Sequence, residues 1–473
     1  MLDNFLFLSL YLFNIFAMIY FIFVNLTYLL LNILAFFSIR THLRSSAFVE
    51  DKILFRHAAH LKPISLIVPA YNEELSVVES VRSLIHLNYP VYEVVLVNDG
   101  STDGTMKVLE EALNLEQVER AAPHQLPAKK VKGIFRSPHF ENLLVIDKEN
   151  GGKADALNAG INFSRYPLFT AIDSDSLLEK DVLLKMVRPF LENPSTIAVG
   201  GVIRVVNGCE VRDGEVVKIG LPTNPLAIFQ IVEYFRAFLF GRVGWGAINM
   251  LLIISGAFGM FRKQAVIEVG GYKKTVGEDI ELVVRLHRRM REQKKPYHIR
   301  FIPDPVCWTE VPESWGVLSR QRNRWNRGLM DTCSIHRGMF FNPTFGGVGM
   351  LGLPFQLFVE GLGWIFEFFG YIMFGLAWIL GVIDLEFALV FLSVSILLGI
   401  TVSVSALIVE EFGMRRFPRA SMVGVLILFG VLENFGYRQI NAFWRMMGLV
   451  DYLRGKEGWG VITRKGFSEK KKG

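Results

Sequence analysis

Hydrophobic and polar positions divide the chain into three textures. From Phe5 to Ile39, Phe, Leu, Ile, Tyr and Val run almost unbroken and without a charge. About 35 such residues exceed the roughly 20 needed to cross a bilayer, and no Pro or Gly offers a hairpin turn. The pattern predicts one long, tilted span. Asp3 and the length of the run are unlike the basic start and short apolar stretch of a signal peptide. Arg40, His42 and Arg44 follow at once, and the positive-inside rule puts the next segment in the cytosol.

From about Lys62 to His336 the texture becomes mixed, with apolar strands alternating with amphipathic helices. Short apolar runs at 64–69, 92–97, 142–146 and 168–172 read as strands. Helices are predicted at 73–86, 102–115 and 153–163. Such alternation argues for a parallel sheet wrapped by helices, an α/β domain of roughly 275 residues. The stretch 117–136, with its Pro, Lys and His, reads as a loop insertion. The amphipathic stretch 229–241 either buries against its own domain or docks on a membrane surface.

After Asn342 the apolar character returns, with candidate segments at 347–364, 367–380, 386–409 and 420–436. Arg415, Arg416 and Arg419 call for a cytosolic loop, and so does the basic C-terminus. Both are satisfied only if the last segment is re-entrant; otherwise one cluster breaks the rule. Glu360, Glu367 and Glu433 sit in or beside these segments, where a carboxylate costs about 2.5–3.5 kcal/mol on insertion scales. Two readings are open: helices lying in the interface with carboxylates in water, or a polar passage. The domains expected are therefore 1–45, an N-terminal transmembrane helix; 46–341, a cytosolic α/β domain with interfacial helices; 342–450, three or four membrane segments; and 451–473, a basic tail.

Composition agrees with this division. Of 473 residues 51% are hydrophobic, 39 are Phe and only 20% are charged, a balance tilted from soluble domains towards membrane proteins and far from disorder. The three cysteines, Cys209, Cys307 and Cys333, form no CxxC pair, which argues against a disulfide framework and for a reducing compartment. The net charge of +6 comes almost wholly from the segment after Leu453, where seven Lys or Arg stand against two Glu. Anionic lipid and positive-inside topology account for such a tail, and no basic face supports a nucleic-acid partner.

Acidic residues recur at the predicted strand ends, where open parallel sheets bind ligands. The second strand runs into Asn98-Asp99-Gly100-Ser101-Thr102-Asp103, which taken alone is an ordinary capped helix start. The strand at 168–172 runs into Asp173-Ser174-Asp175. In extended backbone residues i and i+2 point the same way, so these carboxylates converge, and oxygen ligands of this kind suit Mg2+ or Mn2+. Gly277-Glu278-Asp279 opens a helix running to about Met290. The acids there compensate the helix dipole, or Asp279 serves as a base if it faces the cleft. Gln321, Arg324 and Trp325, at i, i+3 and i+4, share one helical face. A guanidinium there can neutralise a departing phosphate and an indole can lie beneath a sugar ring. GxGxxG after a strand, a P-loop, HExxH and GxSxG are all missing.

Taken in order, these pieces resemble the family 2 inverting glycosyltransferases, in particular the membrane-embedded processive branch of cellulose, chitin, hyaluronan and poly-N-acetylglucosamine synthases. The matching text is Val68-Pro69-Ala70-Tyr71-Asn72-Glu73-Glu74, Asn98-Asp99-Gly100-Ser101-Thr102-Asp103 and Asn150-Gly151-Gly152-Lys153-Ala154-Asp155-Ala156-Leu157-Asn158. Asp173-Ser174-Asp175, Gly277-Glu278-Asp279 and Gln321-Arg322-Asn323-Arg324-Trp325 complete it. The resemblance implies a GT-A (Rossmann-like) fold flanked by transmembrane helices, a UDP-sugar donor and a Mg2+ or Mn2+ cofactor. By that analogy Glu73, Asp99, Lys153 and Asp155 hold the uridine or diphosphate end, with Asp173 near the ribose and Asp175 on the metal. Asp279 takes the proton of the acceptor hydroxyl, Arg324 offsets charge on the departing UDP, and Trp325 stacks beneath the acceptor sugar. Gln321 and the loop with Ser255 and Gly256 lie on the acceptor side.

The implied activity is hexosyl transfer with inversion onto a growing β-linked glycan, at a multi-pass cell membrane with the catalytic domain in the cytosol. No domain of the kind that binds a cyclic dinucleotide in bacterial cellulose synthases is recognisable. The membrane segments are fewer than in cellulose synthase, so an export partner is a further expectation. Two alternatives stand beside this: a single-addition enzyme that glycosylates a lipid, and a non-catalytic sugar-nucleotide-binding scaffold, which would need no base at Asp279.

Overall fold

The computed structural model describes residues 2–48, 61–121, 123–212, 214–381, 383–414 and 419–456. Arg415, Arg416 and most of the basic tail lie outside them. The chain divides into two compact units. One comprises Arg40–Thr223 and Trp245–Val311; the other comprises Met1–Ile39, Asn224–Gly244 and Pro312–Trp459.

The first unit is built on strands β1 (Ile64–Ala70), β2 (Tyr92–Asn98), β3 (Glu116–Gln117), β4 (Val131–Arg136), β5 (Leu143–Lys148), β6 (Leu168–Ile172), β7 (Leu177–Leu178) and β8 (Thr196–Val205). β9 (Glu210–Arg212) and β10 (Glu215–Lys218) form a separate hairpin, and β11 (Phe258–Arg262) and β12 (His298–Thr309) return to the main sheet. The ten-stranded order is β3-β4-β5-β2-β1-β6-β11-β8-β12-β7. The strands β5, β2, β1 and β6 are parallel. Their continuous apolar runs, such as Leu66-Ile67-Val68 and Val94-Val95-Leu96-Val97, are fully buried, as strands covered on both faces must be.

The sheet is mixed, which corrects the expectation of a parallel one. β11 runs antiparallel to both β6 and β8, and β4 antiparallel to β5. The stretch 117–136 is likewise not a plain loop. Its ends form β3 and β4, which finish the sheet edge, and only the part between them is irregular.

The Lys153–Phe163 helix is buried along almost its whole length. Gly160 lets it press on the sheet, because a β-carbon there would stand 2.2 Å from Ile67 Cγ2. Two buried amides one turn apart on this helix strap other segments to it. Asn158 donates to the Tyr272 carbonyl at 2.9 Å and accepts from the Tyr272 amide at 2.8 Å. Asn162 does the same for Leu126, at 2.8 and 3.0 Å.

The second unit is helical. Leu8–Arg44, within the 47-residue Leu2–Phe48 helix, is long and apolar enough to cross a membrane. Among the described residues, two further spans are reached if each of two bent pairs counts as one: Val348–Gly361 with Gly363–Ile379, bent by 43°, and Ala420–Leu432 with Tyr437–Leu453, bent by 60°. The 13 residues of Ala420–Leu432 reach about 20 Å, short of a hydrocarbon core of about 30 Å. The chain breaks at Gly436, whose φ of 103° only glycine adopts freely. The last apolar segment is thus not a straight full crossing.

Two carboxylates of this unit, Glu433 and Glu360, are paired between helices. Glu433, with no exposed surface, accepts from Ser403 Oγ at 2.6 Å and pairs with Arg236. Glu360 accepts from the Tyr28 hydroxyl at 2.5 Å, with Arg445 at 3.8 Å. The stretch expected at 229–241 is the Pro225–Phe235 helix and a π-turn, Arg236–Arg242. It buries within its own unit, with Phe229 stacked on Tyr437 at 4.5 Å.

Candidate active site

The parallel strands end level with one another. Ala70 is in register with Asn98, Asn98 with Asp147, and Ile67 with Ala171. The loops that follow β1, β2, β5 and β6 therefore leave one edge of the sheet, and they carry Glu73, Asp99, Gly151 to Asp155, and Asp173 to Asp175. β11 adds a fifth loop. It pairs Phe258 with Ile172 in antiparallel register, so Ser255 and Gly256 lie beside the residues after β6.

Asp99 is buried, and both its carboxylate oxygens are occupied from within the protein. Oδ1 accepts from Lys148 Nζ at 2.5 Å and from the Gly151 amide at 3.0 Å, and Oδ2 accepts from the Gly152 amide at 2.7 Å. Asp155 accepts from Lys148 Nζ at 2.6 Å and from the Lys129 amide at 3.0 Å. These carboxylates hold the glycine loop in place from behind. Gly100, at φ 66°, belongs to the same arrangement: a β-carbon there would stand 2.6 Å from the Asn150 nitrogen. Glu73 links β1 to the β6 loop, accepting from Ser174 Oγ at 2.9 Å and from Ser76 Oγ at 2.7 Å.

Lys153 is the centre of a second cluster. Its ammonium lies 2.6 Å from Asp173 Oδ1, 3.5 Å from Glu278 Oε1 and 3.4 Å from the Gly256 carbonyl oxygen. Burial alone would lower the Lys153 pKa, but the charges of Asp173 and Glu278 outweigh it and raise the group well above its ordinary value. Burial also raises the Glu278 carboxyl, with Lys153 opposing and Asp279 reinforcing. Asp279, in the first turn of the Glu278–Glu292 helix, accepts from the Gly256 amide at 3.2 Å through Oδ2. Lys153, Ser255, Gly256, Tyr272, Glu278 and Asp279 line one cleft, whose apolar wall includes Leu157, Ala171, Ile254 and Phe261.

The carboxylates of Asp173 and Asp175 were expected to converge by strand alternation. β6 stops at Ile172, however, and a turn follows in which the Ser176 amide donates to the Asp173 carbonyl at 3.0 Å. Asp173 is committed to Lys153. Both carboxylates bear on the buried thiol of Cys307, whose pKa burial pushes up and whose neighbours Asp173 and Asp175 raise it further. Among the described residues no group of three His, Cys, Asp or Glu side chains could cage a metal ion. Mg2+ and Mn2+ sites that serve phosphates commonly use one or two carboxylates, water and the phosphate itself.

Gln321, Arg324 and Trp325 are carried by the Trp315–Ile335 helix of the helical unit. Trp325 is 44% exposed. The buried member of that motif is Arg322, which lies 2.7 Å from Glu233 and stacks its guanidinium 4.4 Å from the Trp325 ring centroid. Arg322 escaped the sequence reading, as did Lys148, Glu278 as a partner of Lys153, and Tyr272. The motif text contained Arg322 and Glu278, and only Lys148 and Tyr272 lay wholly outside it.

Comparison with known proteins agrees with this geometry. Residues 65–269 match the family described as Glycosyl transferase family 2, and residues 168–403 match Glycosyl transferase family group 2. A poly-beta-1,6-N-acetyl-D-glucosamine synthase of Staphylococcus epidermidis is 28% identical over 320 residues, 66% of this chain and 64% of its own. One from Staphylococcus aureus is 29% identical over 275 residues, 57% of this chain and 55% of its own. The chain thus spans 55% to 64% of the length of these two curated relatives. Among solved structures, the mannosyltransferase PcManGT from Pyrobaculum calidifontis, in complex with GDP-Man and Mn2+, superposes with a TM-score of 0.50 at 18% identity. The match covers 90% of this chain and all of that one, a likeness of fold. The ordered motifs, the GT-A-like mixed sheet and the family matches agree: the chain belongs to glycosyltransferase family 2.

Proposed function

We propose that this protein is a membrane-bound enzyme that transfers a hexose from a UDP-sugar to the end of a β-linked glycan, with inversion and with repeated addition. The observation that carries the reading is the cleft lined by Asp279, Gly256, Glu278 and Lys153, with Asp173 paired to Lys153 at 2.6 Å. Asp279 removes the proton of the acceptor hydroxyl as that oxygen attacks the anomeric carbon, and the bond to the diphosphate breaks on the opposite side. The Gly256 amide donates to Asp279 Oδ2 at 3.2 Å and the Ile280 amide to Oδ1 at 2.9 Å, which fixes the carboxylate while each oxygen keeps a further lone pair for the acceptor.

Glu73, Asp99, Lys153 and Asp155 hold the uridine and diphosphate end, Asp99 and Asp155 through the glycine loop that they frame. Asp173 serves the ribose side. Asp175 would hold a Mg2+ or Mn2+ ion, which when bound neutralises charge on the departing diphosphate. Ser255, Gly256 and Gln321 serve the acceptor, Trp325 stacks beneath its terminal sugar, and Arg324 offsets charge on the leaving UDP. The names of the staphylococcal relatives make UDP-N-acetylglucosamine the first donor to try.

The test is full-length protein in detergent with several UDP-sugars and Mn2+, reading UDP release and product length. Polymer formation that stops in Asp279→Asn supports the reading. A product limited to one added sugar would overturn repeated addition, and turnover undiminished in Asp279→Asn would overturn the assignment of the base.

A further inference from the structure

We infer that Lys148 is a positioning residue for the donor's diphosphate, acting from behind the glycine loop as the counter-ion of Asp99 and Asp155. The inference rests on the donor reading above. Lys148 ends β5 and has no exposed surface. Its ammonium has three donors, and each meets one acceptor: Asp99 Oδ1 at 2.5 Å, Asp155 Oδ1 at 2.6 Å and the Glu149 carbonyl at 2.6 Å. No donor is left over for a ligand, so Lys148 cannot touch the substrate and works through the two aspartates.

Its effect has a geometric and an electrostatic part. Asp99 takes the amides of both Gly151 and Gly152, so the loop's course up to Lys153 is set by where Lys148 holds that carboxylate. Asp155 sits in the first turn of the next helix, two residues beyond Lys153. Without Lys148, two carboxylates would stand uncompensated beside the place where a diphosphate must bind. Repulsion of this kind acts on the charged part of the donor and spares the nucleoside.

The experiment compares binding of UDP and of uridine to the full-length protein in detergent. Lys148→Met is expected to weaken UDP at least tenfold and uridine no more than threefold, while Lys148→Arg, which keeps the charge, stays within threefold of the wild type for both. Lys148→Gln, which keeps an amide donor without the charge, supplies the same comparison should Lys148→Met fail to fold. Unchanged UDP binding in the neutral variants, or equal weakening of UDP and uridine, would overturn the inference. Wild-type protein that binds no UDP at all would instead refute the donor reading.

Discussion

The amide of Gly256 donates to Asp279 Oδ2 at 3.2 Å while its carbonyl oxygen stands 3.4 Å from Lys153 Nζ. One peptide segment thus touches both the candidate base and the charged cluster. Asp279→Asn keeps the shape and removes the basicity. We expect kcat to fall by about 10²–10⁴-fold, the range of general-base catalysis, with the melting temperature almost unchanged. UDP release and thermal unfolding in detergent measure the two.

Gly256 tests the same contact from the backbone side. A β-carbon there would meet Lys153 Nζ at 3.0 Å and Asp279 Oδ2 at 3.7 Å. Gly256→Ala displaces a flexible ammonium and leaves the fold alone, so stability should hold while kcat drops about tenfold, or about 1.4 kcal/mol in the barrier. Steady-state kinetics beside a melting curve separates the two.

Gly160 should behave in the opposite way. Its missing side chain faces Ile67 in the middle of β1, where little can yield. Gly160→Ala is an overpacking substitution costing about 1–3 kcal/mol. It should lower the melting temperature by several degrees, with a larger loss for Gly160→Val. Unchanged melting would show that the helix can slide on the sheet.

His287, on the Asp279 helix, gives the fold a pH dependence. It is fully buried, with Nε2 2.8 Å from the Leu251 carbonyl and Nδ1 2.7 Å from the Tyr297 hydroxyl. Burial lowers its pKa to about 4, against an ordinary 6.5. Between those values the unfolded chain binds the proton and the folded chain does not. The associated stability, about 3 kcal/mol, is complete above pH 6.5 and is lost as the pH falls towards 4. Melting temperatures across that range should decline less steeply in His287→Asn than in the wild type.

The centre of the fold was legible because two-sided burial leaves a plain mark: Leu66-Ile67-Val68 and Val94-Val95-Leu96-Val97 admit few alternatives to strands. The edges were not. β4 hides behind Pro123, Pro127 and three nearby lysines, and β12 contains Pro303 and Pro305. Position at strand and helix ends pointed to Asp173 and Asp279, the family resemblance added Lys153, and the three lie together in the structure. Spacing could not reveal that Asp99 and Asp155 spend their oxygens on internal donors, because that depends on Lys148. A lone lysine at a strand end looks like surface until its three acceptors are in view.

The two asparagine straps carry a consequence for how the cleft tolerates change. Asn158 grips the chain six residues ahead of Glu278, and Asn162 grips the segment between β3 and β4. Both therefore take their bearings from a single rigid rod laid across the sheet, so a shift of that rod carries the two together and preserves their spacing. Insertions or altered lengths farther out along either connection can accumulate without disturbing the alignment of the groups that do the chemistry.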